Sequence, residues 1–384
     1  MEPFRCPICG NTNPNSIGIL NGKPYCRKCI SFRGEQISDL KPRSGAVVMD
    51  IKYPLSKEQS EISQKVKENF ENGIDTLIDA VCGAGKTELI YAVIASALSK
   101  KKTVAFAVPR RDVVIELLPR IKSVFPHNVV VSVYGGHTDY LKGDIVVLTT
   151  HQLYRYPHMF DLIILDEIDA FPFKDNELLI AMLNNASRGR IVMMSATPSD
   201  QVLTEFSKDN HEVLHLNTRF HHKPLPVPKL VIRYGLLKQP YLYRKLRQFR
   251  KENKPTFIFC PTISIAEKIY TLNAKLIPNG NVVHSKKSDR AEVIEDFKNG
   301  KYQYLVTTAV LERGVTIKNL QVIIYDADHP IYDEHALIQI SGRVGRKFDA
   351  PEGEVIFLAD KSTKAIQRAI STIVDKNKSL QNML

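Results

Sequence analysis

From about Lys52 onward, short apolar runs alternate with stretches whose apolar residues recur every three or four positions. The first kind predicts buried parallel strands and the second amphipathic helices. A helix is predicted from Ser56 to the Asn72-Gly73 pair, then a strand over residues 76–80. Lys86-Thr87 opens a helix whose apolar face holds Leu89, Ile90, Val93 and Ile94. Further strands are predicted over 103–108, 129–133, 144–148, 162–165 and 191–194. Residues 223–228, Lys-Pro-Leu-Pro-Val-Pro, interrupt the alternation and read as an extended linker. A second series follows, with strands over 256–260, 281–284, 304–308, 321–325 and 355–358. Helices over 264–275, 289–298 and 334–341 alternate with them, and a C-terminal helix closes the chain. Alternation of this kind predicts an α/β protein with two tandem parallel-sheet domains, helices on both faces of each.

Composition narrows the function. The 384 residues are 43% hydrophobic and 24% charged, which excludes a disordered chain. Fifty-three Lys and Arg against 41 Asp and Glu give +12, which favours a polyanionic partner, nucleic acid or an acidic membrane face. No apolar run reaches the roughly 18–20 residues that span a bilayer, and the first residues lack the apolar core of a secretory signal. The reading is a cytoplasmic chain, whose cysteines are then thiols or metal ligands.

Cysteine spacing adds a third part. Cys6 and Cys9, then Cys26 and Cys29, form two C-x2-C knuckles, the pattern of a closed structural zinc site. The stretch 1–45 has almost no core of its own, so metal is expected to supply most of its folding energy. It is basic, with Arg5, Lys23, Arg27, Lys28, Arg33, Lys41 and Arg43 against Glu2, Glu35 and Asp39. Contact with nucleic acid and docking to a protein both remain open. The expected organisation is a four-cysteine zinc module over 1–45, a first domain over 46–222, a linker over 223–230 and a second domain over 231–384.

Strand, glycine loop, Lys-Thr and helix together are a phosphate-binding loop. Glycines at Gly83 and Gly85, with Ala84 between them, let backbone amides approach phosphate oxygens, and the helix N-terminus adds favourable dipole charge. Lys86 would reach the terminal phosphates and the Thr87 hydroxyl would hold Mg2+. Asp166-Glu167 ends the strand 162–165, where Asp166 would hold the metal and Glu167 would orient or deprotonate the attacking water. Ser195 and Thr197 follow the next strand. In the second domain Gln339, Arg343 and Arg346 are spaced by glycines, so that two guanidinium forks can reach one anion.

Ala80–Thr87, Asp166–Asp169, Ser195–Thr197, Thr307–Thr316 and Gln339–Arg346, in that order, resemble the superfamily-two helicases and translocases with two RecA-like lobes. The resemblance runs from about Tyr53 to the C-terminus. The four cysteines, Asp79–Glu88, Asp166–Phe173 and Leu311–Thr316 further resemble the ComFA-like competence ATPases. The resemblance implies an ATP-driven motor that draws single-stranded DNA through a membrane channel from the cytoplasmic side, with the channel and another competence protein as partners. It also implies ATP, Mg2+ and Zn2+. By position it implies adenine contact at Gln59, preceded by Tyr53, although Ser56 and Gln59 also read as a capping box. It implies backbone contacts to nucleic acid at Pro109, Arg110, Gly136, Thr150, Thr262, His284 and Thr308, coupling at Ser195 and Thr197, and an arginine finger at Arg346 with Arg343 and Gln339 beside the phosphate. Thr316 stands where many members carry a ribose-binding aspartate. A duplex-unwinding helicase of the replication-restart type and an RNA helicase are the alternative readings. Cys82 and Cys260 read as packing residues, and His221-His222 as a solvated loop.

Overall fold

The computed structural model describes the chain apart from residues 1–3, 33, 42–46, 53, 169–172, 174–175, 207–209, 222, 309–310, 312–315 and 382–384, and apart from the side chains at 200, 201, 205 and 379–381. Tyr53, Asp169 and His222 therefore lie outside the described residues, as does the 312–315 part of the Arg-Gly segment. The described chain falls into two compact units, one of residues 1–80 and 85–216, the other of residues 81–84 and 217–384.

The first unit opens with a hairpin of β1 (Ile17–Leu20) and β2 (Lys23–Cys26). Its two-residue turn, Asn21-Gly22, has positive φ at both positions, the geometry that matches strand twist. Then follow α1 (Lys57–Asn72), β3 (Asp75–Ala80), α2 (Lys86–Leu89), α3 (Tyr91–Ser99), β4 (Val104–Val108), α4 (Arg111–Val124), β5 (Val130–Val133), β6 (Ile145–Thr149), β7 (Phe160–Asp166), α5 (Glu177–Ala186), β8 (Ser187–Ser195), α6 (Asp200–Glu205) and β9 (His211–Leu216). Strands β3 to β9 form one parallel sheet in the order β5-β6-β4-β7-β8-β3-β9. β4 and β6 are buried along their whole length, which is why their sequences are unbroken apolar runs. α1 starts on a capping box, with Ser56 Oγ accepting from Gln59 N and Ser56 N donating to Gln59 Oε1, and stops at Gly73 in the left-handed conformation.

The cysteine module is packed into this unit. Cys6, Cys9, Cys26 and Cys29 belong to the same apolar cluster as Leu153, Tyr154 and Met182 of the sheet domain. Asn185 donates from its side chain to the Pro7 and Ile8 carbonyls, at 2.8 and 3.2 Å. The expectation that the stretch 1–45 has almost no core is corrected here: it shares the lobe's.

The second unit carries β10 (Lys229–Ile232), α7 (Lys238–Lys251), β11 (Thr256–Phe259), α8 (Ile263–Ala274), β12 (Gly280–Val283), α9 (Arg290–Lys298), β13 (Tyr304–Thr307), β14 (Gln321–Tyr325), α10 (Glu334–Ser341), β15 (Val355–Ala359) and α11 (Lys364–Gln381). Its sheet is also parallel, in the order β10-β15-β14-β11-β13-β12. The proline-rich stretch is fastened rather than loose. Leu225 is buried, and its N–H and carbonyl both bond the Asn377 side chain of α11, at 2.8 and 2.9 Å. Lys238 at the start of α7 is buried and pairs with Asp326 and Asp360, beyond the ends of β14 and β15. The α/β class with two parallel-sheet lobes is as the sequence predicts.

Candidate nucleotide and nucleic-acid sites

The candidate phosphate loop follows β3, its residues 81–84 grouped with the second unit and Gly85 onward with the first. Gly83 and Gly85 take φ of +84° and +77°, a conformation open to glycine at little cost. A Cβ at Gly85 would come within 2.6 Å of Gln59 Nε2. The Gln59 carbonyl oxygen thus serves the helix cap while its amide nitrogen lies beside Gly85, so the capping-box reading holds.

β7 lies two strands from β3, with β8 between them, and aligns its end with theirs. Asp166 pairs with Met194 of β8, and Asp79 of β3 pairs with Ser195. This register brings Lys86 Nζ to 3.9 Å from Asp166 Oδ1. The next residue, Glu167, has φ of 58°, unusual for a residue with a side chain, and its N–H donates to Asp166 Oδ1 at 2.8 Å. Strained backbone of this kind costs on the order of 1–3 kcal/mol and gathers at functional sites. Ser195 is fully buried and its hydroxyl accepts from Thr197 N at 3.0 Å, so the segment after β8 turns back on itself. An ammonium group, a helix N-terminus and two carboxylates meeting at strand ends can hold a phosphate chain together with a divalent cation.

The other candidates of this unit lie along the same edge. Pro109 and Arg110 follow β4, with Arg110 as the N-cap residue of α4 and 3.4 Å from Asp112. Gly136 follows β5 with φ of +79°, and Thr150 follows β6, fully buried at the start of a 3-10 turn over Thr150–Arg155. In sheet order, the strands β5-β6-β4 carry the nucleic-acid candidates, and β7-β8-β3 carry the nucleotide candidates. Ligands of parallel sheets bind beyond the strand C-termini, so the edge divides into two adjoining regions.

The four cysteine Sγ atoms lie within 4.8 Å of one another, and Cys9 Sγ and Cys26 Sγ are 3.9 Å apart. A tetrahedron with Zn–S bonds of about 2.3 Å needs sulfurs about 3.8 Å apart, so the set fits a metal. Burial pushes the Cys9 thiol up to about 11 and the Cys29 thiol higher still. Cys26 opposes its own burial with a hydrogen bond from the Lys28 backbone and ends below the usual thiol value. A cation among them would hold all four as thiolates. The module grips the Thr150–Arg155 turn. Arg155 donates to the Glu35 carbonyl at 2.9 Å, Gln36 donates to the Tyr154 carbonyl at 2.8 Å, and Phe32 stacks on His151.

In the second unit Thr262 caps α8 by accepting from Ile265 N at 3.2 Å, and His284 is buried with Nε2 2.7 Å from Glu267 Oε1. Thr262, His284 and Thr308 follow β11, β12 and β13, adjacent strands of that sheet. Gln339 is buried near the end of α10, where its Oε1 accepts from Cys82 Sγ at 3.4 Å. Arg343 is buried, and Arg346 Nε donates back to the Gly342 carbonyl at 2.8 Å. Cys260 is buried and its thiol is raised by that burial, as expected of a packing residue.

His221 departs from expectation. It is buried, and its Nε2 lies 2.8 Å from the Gly345 carbonyl, so the solvated-loop reading is wrong for this residue. Its neighbour Arg219, also buried, donates to the Val344 and Gly345 carbonyls. Arg219 is not legible in the sequence, because one arginine in a loop, with no spacing partner, carries no pattern.

The chain matches the family described as "Helicase conserved C-terminal domain" over residues 237–348 and "Type III restriction enzyme, res subunit" over residues 52–200. It is 33% identical to competence protein ComFA of Bacillus subtilis, over 97% of this chain and 86% of that protein. It is 32% identical to ComFA of Streptococcus pneumoniae, over 97% of this chain and 90% of that one. Among solved structures it resembles Saccharomyces cerevisiae Dbp5 bound to RNA and ADP BeF3, with a TM-score of 0.62 at 17% identity over 84% of this chain and 91% of that one. It also resembles RecG bound to a three-way DNA junction, with a TM-score of 0.62 at 20% identity over 86% of this chain and 47% of that one. Those structural likenesses bear on the fold. No helix among the described residues is long and apolar enough to cross a membrane. The chain belongs to the ComFA family of competence proteins within helicase superfamily two, and is an ATP-hydrolysing nucleic-acid translocase or helicase.

Proposed function

We propose that the chain is a motor for single-stranded DNA, driving DNA uptake during natural competence at the inner face of the cell membrane. A membrane channel and a second competence protein would be its partners. The observation that carries the reading is the first sheet's divided edge, with Lys86, Asp166 and Glu167 at one end and Arg110, Gly136 and Thr150 at the other.

In this reading Gly83, Ala84, Gly85 and Lys86 hold the phosphates, Gln59 meets the base, and Thr87 and Asp166 hold Mg2+. The magnesium would supply charge neutralisation on the phosphate oxygens. Glu167 orients water for attack. Arg346, with Arg343 and Gln339, stabilises charge that grows on the transferred phosphoryl group. Ser195 and Thr197 lie after β8, the nucleotide side of the edge, and couple hydrolysis to the strand. Pro109, Arg110, Gly136 and Thr150 in one unit, and Thr262, His284 and Thr308 in the other, hold the nucleic-acid backbone without reading its bases. Cys6, Cys9, Cys26 and Cys29 hold structural zinc.

The test is ATP turnover against added single-stranded DNA, duplex DNA and RNA at one stated salt, because backbone-driven affinity falls steeply with ionic strength. Stimulation by single-stranded DNA, without strand displacement on forked duplexes, is the expected result. Vigorous unwinding would favour a replication-restart helicase, and preference for RNA would end the DNA reading.

A further inference from the structure

Among the described residues, Arg219 is the largest side chain that the fold buries completely, at 1% exposure. A buried guanidinium ordinarily has a carboxylate partner. Arg219 has none among the described residues. Its Nη2 spends itself on the Val344 and Gly345 carbonyls, while Nε and Nη1, both shielded from solvent, make no hydrogen bond. Burial and Arg346 work against its charge, and only Cys82 works for it. Burial, then the like charge of Arg346, pushes the Arg219 guanidinium down to about 10, which still leaves it protonated at neutral pH. Leaving a charge buried and unpaired costs several kcal/mol, a cost that a bound anion would offset.

The place identifies the anion. Within this same unit, a Cβ on Gly83 would come within 3.3 Å of Arg219 Nε, and a Cβ on Gly345 within 3.0 Å of Nη1. The two idle donors thus face two glycines, one from the phosphate-loop sequence and one from the Arg343–Arg346 turn. The Gly83 carbonyl accepts from Phe220 N at 3.3 Å, so the backbone next to Arg219 is fastened to that loop.

We propose that Arg219 is a phosphate-binding residue, whose Nε and Nη1 take the terminal phosphoryl group of the bound nucleotide, while Nη2 braces the turn that carries Arg346. The proposal rests on the ATP-driven reading above and adds a third arginine to its site. Arg219 would then sense whether the terminal phosphate is present and report it to the start of the second unit, ahead of the proline-rich stretch.

The experiment is equilibrium binding to the full-length protein of ADP alone and of ADP with beryllium fluoride, which mimics the terminal phosphoryl group. Arg219→Gln should weaken the beryllium fluoride complex about 10–100-fold, as loss of charge-assisted hydrogen bonds does, and leave ADP within about threefold. Arg219→Lys keeps the charge and should recover part of the loss. His221→Ala is the control, because His221 holds the same Gly345 carbonyl and has no role with phosphate; it should treat the two ligands alike. If Arg219→Gln weakens both ligands equally, or behaves as His221→Ala does, the residue only braces the turn and the proposal fails. It also fails if Arg219→Gln keeps nucleotide affinity and instead loses affinity for oligo(dT). Absence of nucleotide binding by the unaltered protein would instead sink the ATP-driven reading itself.

Discussion

Lys86 Nζ stands 3.9 Å from Asp166 Oδ1, joining the residue that opens α2 to the last residue of β7. Without nucleotide the carboxylate is the lysine's counter-ion; in the proposed ATP complex phosphate takes the lysine and Asp166 turns to the cation. Both substitutions at this edge should therefore be severe in different ways. Lys86→Ala is expected to lose nucleotide affinity and turnover together. Glu167→Gln is expected to bind nucleotide and stop DNA-stimulated turnover by about 10²-fold or more, as removal of a catalytic acid or base does. Michaelis parameters for ATP at saturating DNA check this.

The cysteine module should act on the nucleic-acid end of the same edge. On the proposed zinc reading, metal analysis should find about one equivalent of zinc in the unaltered protein and none in Cys29→Ser. It should raise amide exchange over Thr150–Arg155, because Glu35 and Gln36 hold that turn through Arg155 and the Tyr154 carbonyl. Affinity for single-stranded DNA should fall while affinity for nucleotide stays.

Gly34 allows a test that spares the ligands. A Cβ there would come within 2.0 Å of the Tyr154 hydroxyl and 2.2 Å of Arg155 Nη2. Gly34→Ala should retain zinc, lower the melting temperature and loosen Thr150–Arg155 in the same exchange measurement.

Acid should find a weak point at the base of the first sheet. Asp161 accepts from Thr103 N and Oγ1, and from Arg188 Nε and Nη2, at 2.8 to 3.1 Å. Burial works against the charge, but the bonds from Arg188 and Thr103 win and hold the carboxyl below its usual value. A depressed carboxylate stabilises the fold above its unfolded pKa, near 3.9, and loses that contribution as pH falls through the folded value. Asp161→Asn should cost about 1–3 kcal/mol at neutral pH. The gap from the unaltered protein should narrow as pH falls below about 4, in unfolding measured across pH.

Much of this was legible in the residues. β4, β6 and β14 announce themselves because strands covered on both faces are apolar throughout, and their ends move by a residue at most from the predicted ranges. β9, His211–Leu216, was not legible: it is a sheet edge, half exposed, and its mixed sequence has neither an apolar run nor strict alternation. β10 is four residues long and follows the prolines directly, so in the sequence its first residues, Lys229 and Leu230, merge with the linker. The positions of the glycine loop after β3 and of Asp166-Glu167 at the end of β7 were readable because motifs of this kind keep fixed local spacing. Arg219 and His221 were not, because what gives them meaning, the Gly345 carbonyl, lies more than a hundred residues away.

The central claim of the proposed function is that ATP hydrolysis needs Arg346 as well as Lys86 and Glu167. The most direct measurement is DNA-stimulated ATP turnover by Arg346→Ala beside the unaltered protein. Loss of stimulated turnover by about 10³-fold or more, with nucleotide binding kept, is the predicted result. Stimulated turnover by Arg346→Ala equal to that of the unaltered chain would contradict it.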